Sequence, residues 1–267
     1  MTRTTIAIET RDGRAQGTVF RPDIGEGPWP SVLVYHDGRG IRPAQFELAQ
    51  RIASAGYLVL LPDLFYRAGP YTSPSASDFL NPEVRKDWQE KYSKTASKAN
   101  VRSDTESFLG YLGREKDAGT LAVGITGYCF SGGLSLAAAA HFPDRVVAAA
   151  SYHGGNLATE EPDSPHLLVG SIKARVYVAG AIEDSSFPDS QKQRLIEALS
   201  KARVENVVET YPAKHGWVPS DSAVFDAQAS DRHYQTLLAL FDATLKRAPK
   251  VVRTAGSSSC PLPRPST

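Results

Sequence analysis

Cysteine is scarce in this chain, and several other features that mark particular classes of protein are weak or missing. The 267 residues include two cysteines, Cys129 and Cys260, which are too few for a disulfide scaffold and are typical of a reducing compartment. Thirty basic residues balance twenty-nine acidic ones, so we expect neither nucleic acid nor an anionic membrane as a partner. No apolar run approaches the roughly 20 residues that span a bilayer, and the first residues lack the basic-then-apolar order of a secretory signal. We therefore expect a cytoplasmic protein without a membrane segment.

The sequence also lacks the common motifs for metals and nucleotides. It contains no HExxH motif and no paired CxxC motif, and its six histidines are scattered. No GxGxxG motif follows a predicted strand, and the GxxxxGK phosphate loop is absent. We therefore expect neither a metal nor an organic cofactor.

Short apolar runs alternate with amphipathic segments along most of the chain. Strands 4–9 and 15–20, with the turn dipeptide Asp12-Gly13 between them, predict an antiparallel hairpin. Strands that alternate with helices form a mostly parallel α/β sheet with helices on both faces, and we expect one such domain over residues 1–247. The apolar, β-branched runs that predict its buried strands lie at 31–35, 57–61, 122–126, 146–151, 175–179 and 206–211.

Two stretches depart from this alternation. Residues 67–106 begin with Pro, Ser and Gly and then become highly charged, which indicates a lid-like excursion over the mouth of a site. A solvated pair of surface helices explains the same composition equally well. Residues 248–267 hold four prolines and four serines, so we expect this tail to be disordered and its Cys260 to be inert.

The most informative segment reads VGITGYCFSGG from Val123 to Gly133: a buried strand, a sharp turn and an alanine-rich helix. A nucleophile on such a turn is held in a strained conformation above the sheet. Small residues two positions before and after it are needed because the backbones crowd there. If Cys129 is the nucleophile, Gly127 and Ser131 are those small residues. The helix N-terminus behind Cys129 would favour a thiolate and place backbone N–H groups near a developing oxyanion.

A second register of the same turn stays open. In it Ser131 is the nucleophile, with Cys129 and Gly133 as its small neighbours. This register is less favoured because Ser131 would lie half a turn into the helix. A purely structural role for Cys129, as a small buried hydrophobe, is the remaining alternative.

Two loops after the late strands carry the groups that would assist Cys129. A thiol nucleophile needs an imidazole to move protons and usually a carboxylate to orient it. On this type of turn the acid and then the histidine follow the nucleophile along the chain. Asp184 and His215 each come after a predicted strand in that order. Glu183 is the rival acid, and Asp184 could instead only cap the next helix.

The polar loop after the first parallel strand is the expected place for a second oxyanion donor. The backbone N–H groups of Phe130 and Gly38 are our candidates for the two donors. Asp37 in this loop could act on the thiol. A salt bridge from Asp37 to Arg39 or Arg42 is an equally supported alternative.

At these residues the sequence resembles the dienelactone hydrolase family, which has the α/β-hydrolase fold. The resemblance spans about Ser31 to Phe241 and implies a Cys–His–Asp triad that opens cyclic enol-lactones bearing a carboxylate. It also implies that a carboxylate at the loop matching Asp37, usually glutamate, helps to generate the thiolate when substrate arrives. The segments that carry the resemblance are VGxxGYC at Val123–Cys129, AGYxVxxPDLF at Ala55–Phe65, and the loops of Asp184 and His215.

The chain departs from the family pattern around the nucleophile and its activating carboxylate. The family's Cys-x-Gly-Gly becomes Cys129-Phe130-Ser131-Gly132, so the turn is slightly bulkier. Asp37 replaces the longer glutamate, which shortens its reach to the thiol.

A further departure concerns substrate choice. Pro219 stands four residues beyond the histidine, where lactone-cleaving members carry an arginine that binds the substrate carboxylate. Arg85 or Lys86 could supply the remaining basic contact, and Trp217 would offer an aromatic wall beside Pro219. Because one charge-assisted contact is worth about 1.5–3 kcal/mol, we expect neutral or aromatic esters and lactones to be processed at least as well as anionic dienelactones.

The sequence thus predicts a hydrolase that cleaves an ester or lactone bond in a small molecule, as a monomer or homodimer. A general carboxylesterase or thioesterase could use the same triad. A catalytically silent relative could bind a small ligand in the same cleft. A thiol reagent separates the last alternative, because a silent relative would have no hyper-reactive Cys129.

Overall fold

An eight-stranded sheet lies at the centre of the residues that the computed structural model describes, 2–23 and 25–246. The strands lie side by side in the order β1-β2-β4-β3-β5-β6-β7-β8. The predicted tail at 248–267, with Cys260, lies outside the described residues. In chain order the strands are β1 Thr2–Thr10, β2 Gly13–Arg21, β3 Trp29–Tyr35, β4 Leu58–Pro62, β5 Ala118–Tyr128, β6 Val146–Tyr152, β7 Arg175–Gly180 and β8 Asn206–Thr210.

The sheet is antiparallel at one edge and parallel elsewhere. Strands β1 and β2 form the predicted hairpin, and β2 runs antiparallel to β4. The pairs from β4 and β3 through to β8 are all parallel. This confirms the predicted mostly parallel sheet. The carboxyl ends of β3, β5, β6, β7 and β8 therefore meet at one edge, which is where open α/β sheets bind their ligands.

Seven α-helices within the described ranges surround the sheet, and two separate groups of buried residues fill its two faces. One group lies between the sheet and α4, α5 and α6, and the other lies beneath α1 and α7. Strand β3 contributes Leu33 and Tyr35 to the first group and Val32 and Val34 to the second. Burial on both faces explains its unbroken apolar run. The helices are α1 Pro43–Ser54, α2 Ala76–Leu80, α3 Pro82–Lys91, α4 Lys98–Arg114, α5 Phe130–His141, α6 Asp189–Lys201 and α7 Ala227–Thr244.

The stretch predicted as an excursion, 67–106, contains α2, α3 and the first half of α4. Helix α4 packs on the core through Val101 and Phe108, so the excursion ends at its N-cap, Ser97, earlier than predicted. The charged residues form the exposed face of α3, while its Trp88 is buried. None of the helices in the described part of the chain is long and apolar enough to cross a membrane.

Candidate active site

The turn between β5 and α5 holds Cys129 in a strained conformation, with φ 57° and ψ −122°. This is the left-handed half of backbone space that residues with a side chain rarely adopt. The preceding Gly127 is required sterically, because a Cβ there would lie 2.1 Å from the carbonyl oxygen of Ser131. The turn therefore has the geometry expected for an exposed nucleophile at the carboxyl end of a strand.

Ser131 faces the interior of this turn. Its hydroxyl is fully buried, accepts a hydrogen bond of 2.8 Å from the Tyr128 N–H, and lies 3.0 Å from the Tyr128 carbonyl oxygen and 3.2 Å from that of Tyr35. Ser131 thus stabilises the turn from the interior of the protein. Cys129, in contrast, lines two cavities at this edge of the sheet.

Asp184 and His215 form a close pair beside Cys129. His215 Nδ1 lies 2.8 Å from Asp184 Oδ2. The other carboxylate oxygen of Asp184 accepts hydrogen bonds from the hydroxyl and the backbone N–H of Ser186, at 2.6 and 2.9 Å. Both oxygens are satisfied, so the carboxylate is fixed in place. The rival acid, Glu183, points into solvent.

The electrostatics of the pair favour a protonated imidazole beside an ionised acid. Burial alone would lower the pKa of His215, but the Cys129 thiolate and the Asp184 carboxylate outweigh it and raise the pKa to about 10. Burial would likewise raise the pKa of Asp184, but the hydrogen bonds from His215 and Ser186 lower it to about 2. The Cys129 and His215 side chains line the same cleft. This arrangement can support a thiolate–imidazolium pair.

The two residues whose backbone N–H groups are the candidate oxyanion donors, Phe130 and Gly38, lie next to the cysteine. Phe130 is the first residue of α5, where an N–H has no carbonyl one turn earlier in the helix to bind. Gly38 lies against it: a Cβ on Gly38 would be 4.0 Å from Cys129 Sγ and 3.9 Å from the Phe130 ring. Both residues that carry the candidate donors are therefore neighbours of Cys129.

The Asp37 carboxylate forms a salt bridge, which is one of the two alternatives that the sequence left open. Its partner is Arg42. Two guanidinium nitrogens of Arg42 lie 2.6 and 2.8 Å from its oxygens. Gln45 and the backbone N–H of Arg39 complete the shell at 3.0 and 2.9 Å. Burial would raise the pKa of Asp37, but the Arg42 charge keeps it below its usual value. The Asp37 carboxylate is therefore held by Arg42, whereas His215 is the group whose pKa is raised by Cys129.

Two cavities meet at Cys129 and His215. The smaller, about 230 Å³, has an apolar wall from Phe79, Leu80 and Val224 beside the predicted Pro219. The larger, about 890 Å³, runs past Lys98 towards Asn156 and Ser186. Arg85 is exposed and lines both cavities. The excursion thus contributes Phe79, Leu80 and Arg85 to the cleft.

The prediction for Trp217 is wrong. This side chain is fully buried and lies outside the cleft, packed at 5.2 Å between ring centroids on Tyr211 and at 4.9 Å against His153. The predicted aromatic wall rested on the closeness of Trp217 to His215 and Pro219 in the sequence. The chain instead turns at Gly216, with φ 102°, and the indole points into the core beneath the loop.

Sequence reasoning missed His153, which directly follows β6. Its ring is fully buried, 5.3 Å from the His215 ring, and neither ring nitrogen has a hydrogen-bond partner among the residues the structure describes. Burial and the neighbouring His215 hold the pKa of His153 well below its usual value, so the ring is neutral. Its position at the carboxyl end of a parallel strand was the available signal.

Across residues 2–23 and 25–246, no group of three or more His, Cys, Asp or Glu side chains converges in a way that could hold a metal ion. The parallel sheet, the strained cysteine turn and the Asp184–His215 pair together define an α/β-hydrolase. The chain belongs to the dienelactone hydrolase family, whose sequence profile matches residues 15–245. It is therefore an enzyme of a family that hydrolyses ester and lactone bonds of small molecules.

Individual relatives agree with this assignment. A protein of Synechocystis sp. named "Putative carboxymethylenebutenolidase" is 26% identical over 249 residues, which are 91% of this chain and 97% of the relative. The fold also matches a Klebsiella pneumoniae structure named "Putative Dienelactone Hydrolase", with a TM-score of 0.77, 22% identity, and 90% and 98% of the two chains covered. A dienelactone hydrolase-like promiscuous phosphotriesterase from metagenomic libraries matches with a TM-score of 0.72 and 21% identity, over 91% of this chain and 99% of its own.

Proposed function

We propose that this chain hydrolyses an ester or lactone through a triad of Cys129, His215 and Asp184. The observation that carries the proposal is that the strained Cys129 lines the same two cavities as His215, whose Nδ1 lies 2.8 Å from Asp184 Oδ2. A nucleophile, a base and an orienting acid in this relation are the elements of triad catalysis.

In the first half-reaction the Cys129 thiolate attacks the carbonyl carbon, and the carbonyl electron pair moves onto oxygen. The N–H groups of Phe130 and Gly38 stabilise this oxyanion. When the intermediate collapses, the carbon–oxygen bond to the leaving group breaks. The His215 imidazolium gives its proton to the leaving alkoxide, which leaves a thioester on Cys129 and a neutral imidazole.

In the second half-reaction the neutral His215 takes a proton from water, and the resulting hydroxide attacks the thioester carbonyl. The carbon–sulfur bond then breaks, and the Cys129 thiolate and the His215 imidazolium are restored together with a carboxylic acid product. Asp184 stays ionised throughout, because its pKa is about 2. Its role is to hold the imidazole in one orientation and to stabilise its charge.

The cleft favours substrates that are apolar near the scissile bond. Phe79, Leu80 and Val224 line the smaller cavity, and Pro219 supplies no charge where an arginine would bind a carboxylate. Arg85 remains as an exposed cation shared by both cavities. We therefore propose neutral or aromatic esters and lactones as substrates, processed at least as well as carboxylated dienelactones.

The nucleophile also bears on the compartment. A thiolate is inactivated by oxidation, so a chain that depends on Cys129 suits the reducing cytoplasm.

The proposal is tested with p-nitrophenyl acetate and iodoacetamide, in a Cys260→Ala background so that alkylation reports on Cys129. Cys129→Ala should lower kcat about 10³-fold or more with an unchanged far-UV circular dichroism spectrum. Ser131→Ala should retain measurable hydrolysis. Activity that survives Cys129→Ala but disappears in Ser131→Ala would reverse the roles, and slow alkylation without turnover would indicate a silent relative.

A further inference from the structure

His36 lies directly after β3, and its buried ring is fixed by two hydrogen bonds. The backbone N–H of Leu64 donates to Nε2 over 3.0 Å, so Nε2 must be an acceptor. The proton of the neutral ring is then on Nδ1, which lies 2.8 Å from the carbonyl oxygen of Asp37 and donates to it. The Asp63 carboxylate is 3.7 Å from Nε2, beyond hydrogen-bonding distance. The tautomer of His36 is therefore determined by its surroundings.

The Asp37 carbonyl belongs to the same peptide unit as the N–H of Gly38. A peptide unit is planar, and in its trans form the carbonyl and the N–H point in opposite directions. The carbonyl also accepts a hydrogen bond of 3.1 Å from the Gly40 N–H. Two donors on one side thus fix the plane whose other side carries the Gly38 N–H.

The orientation of Gly38 matters because its N–H is a candidate oxyanion donor. It lies against the cysteine turn, where an added Cβ would be 4.0 Å from Cys129 Sγ. As glycine it has more freedom to rotate than any other residue. The next peptide unit, between Gly38 and Arg39, is also held. Trp88 Nε1 donates to the Gly38 carbonyl oxygen, and the Arg39 N–H donates to Asp37 Oδ1.

We propose that His36 is a positioning residue of the hydrolytic site: its Nδ1–H orients the Asp37–Gly38 peptide so that the Gly38 N–H points at the substrate oxyanion. This inference rests on the proposed function. Loss of an oxyanion donor typically lowers kcat by 10²–10³-fold, so misorientation of one donor should lower it by about 10–100-fold.

Two amide variants each keep one of the two hydrogen bonds that the His36 ring makes. An asparagine places an N–H donor near the position of Nδ1, and a glutamine places an acceptor near the position of Nε2. His36→Asn can therefore keep the bond to the Asp37 carbonyl and lose the one from Leu64, and His36→Gln can do the reverse. Each variant loses one buried hydrogen bond, so their thermal stabilities serve as a matched control.

The two variants are compared by p-nitrophenyl acetate hydrolysis and by the rate at which iodoacetamide alkylates Cys129. Alkylation forms no oxyanion, so it reports on the thiolate alone. We expect His36→Gln to lose about 10–100-fold in kcat with an alkylation rate near that of wild type, and His36→Asn to retain most activity. An equal loss of hydrolysis in both variants, or alkylation that falls in parallel with hydrolysis, would overturn the role of His36.

A measurement on the wild-type protein covers the case in which neither variant folds. In ¹⁵N NMR spectra, the His36 ring should show the Nδ1–H tautomer. The Gly38 amide proton should move downfield when a trifluoromethyl ketone adds to the thiolate. A proton on Nε2, or an unmoved Gly38 amide, rejects the inference. If Cys129→Ala is itself fully active, the proposed function fails instead, so the two failures are distinguishable.

Discussion

The indole Nε1 of Trp88 donates a hydrogen bond of 2.8 Å to the carbonyl oxygen of Gly38. Trp88 lies on α3 in the excursion, and Gly38 lies in the loop that carries a candidate oxyanion donor. The indole also packs on Tyr92, with 4.3 Å between ring centroids. Helix α3 is thus linked by a hydrogen bond to the loop that follows β3 at the carboxyl edge of the sheet.

This contact makes activity sensitive to a change in the covering helix. Trp88→Phe keeps an aromatic ring but removes the donor. We expect it to reduce the free energy of unfolding by about 1 kcal/mol. It should lower kcat by about 10-fold, less than the loss of an oxyanion donor itself. Urea unfolding and steady-state kinetics measure the two effects. Tyr92→Phe is the control in the same cluster, and an equal fall in its kcat would contradict a specific role for the bond to Gly38.

The assignment of the acid rests on a choice between neighbours. Asp184→Asn should leave the fold intact but lower kcat by on the order of 10³-fold or more, because the amide can hold His215 in the unproductive tautomer. Glu183→Gln removes an exposed charge and should be nearly silent. Kinetics with p-nitrophenyl acetate decide the matter, and the opposite ranking of the two variants would move the acid to Glu183.

Stability should depend on pH through His215. Its pKa is raised from 6.5 to about 10, so its contribution to stability is fully present below pH 6.5 and is lost as the pH rises towards 10. The pKa of Asp184 is lowered from 3.8 to about 2, so its contribution is present above pH 3.8 and is lost as the pH falls towards 2. Formation of the thiolate–imidazolium pair also releases the thiol proton, whose ordinary pKa is about 8.5, so chemical unfolding should show the decline in wild type mainly between about pH 8.5 and 10. The decline should be shallower in Cys129→Ala, which lacks the thiolate, and an identical slope would argue against the ion pair.

Substrate choice should change at Pro219. Pro219→Arg restores a cation beside the cleft and should raise kcat/KM for a carboxylated lactone relative to its neutral analogue by about 10-fold. Pro219→Gln, of similar polarity but without charge, is the control. Matched lactones with and without the carboxylate provide the measurement. A strong preference of the wild type for the carboxylated lactone would show that another basic residue of the cleft, such as Arg85, already anchors it.

The features that sequence predicts well are those encoded locally. The apolar run of β3 is continuous because both faces of the strand are buried. The small residues around Cys129 are needed because the backbone of Ser131 passes so close to Gly127. Residues that are neighbours in sequence impose these restraints on one another, and the pattern is therefore visible in the sequence.

The features that sequence leaves open depend on contacts between distant segments. Arg39 and Arg42 are equivalent candidates for Asp37 in the sequence. Both bind Asp221, which lies far along the chain, but the guanidinium of Arg39 donates to the Pro74 carbonyl oxygen and that of Arg42 binds Asp37. Trp217 was misplaced for the same reason, because its burial depends on how its loop folds over β8. The contact of the charged excursion with the loop after β3 likewise joins distant segments, because Trp88 on α3 donates a hydrogen bond to the Gly38 carbonyl oxygen.

The junction of two cavities at one sulfur has a consequence for how the enzyme would rank its substrates. In an open-chain ester the acyl part and the alcohol part extend in opposite directions from the carbonyl carbon, so each can occupy its own cavity. Groups that share no contacts contribute additively. For a grid of acyl and alcohol parts that do not reach Phe79 or Arg85, which line both cavities, the logarithm of kcat/KM should therefore separate into two independent sums. In a lactone the two parts are tied into one ring, which has to fit a single cavity. Lactones should therefore stop being substrates at a smaller total volume than open-chain esters do.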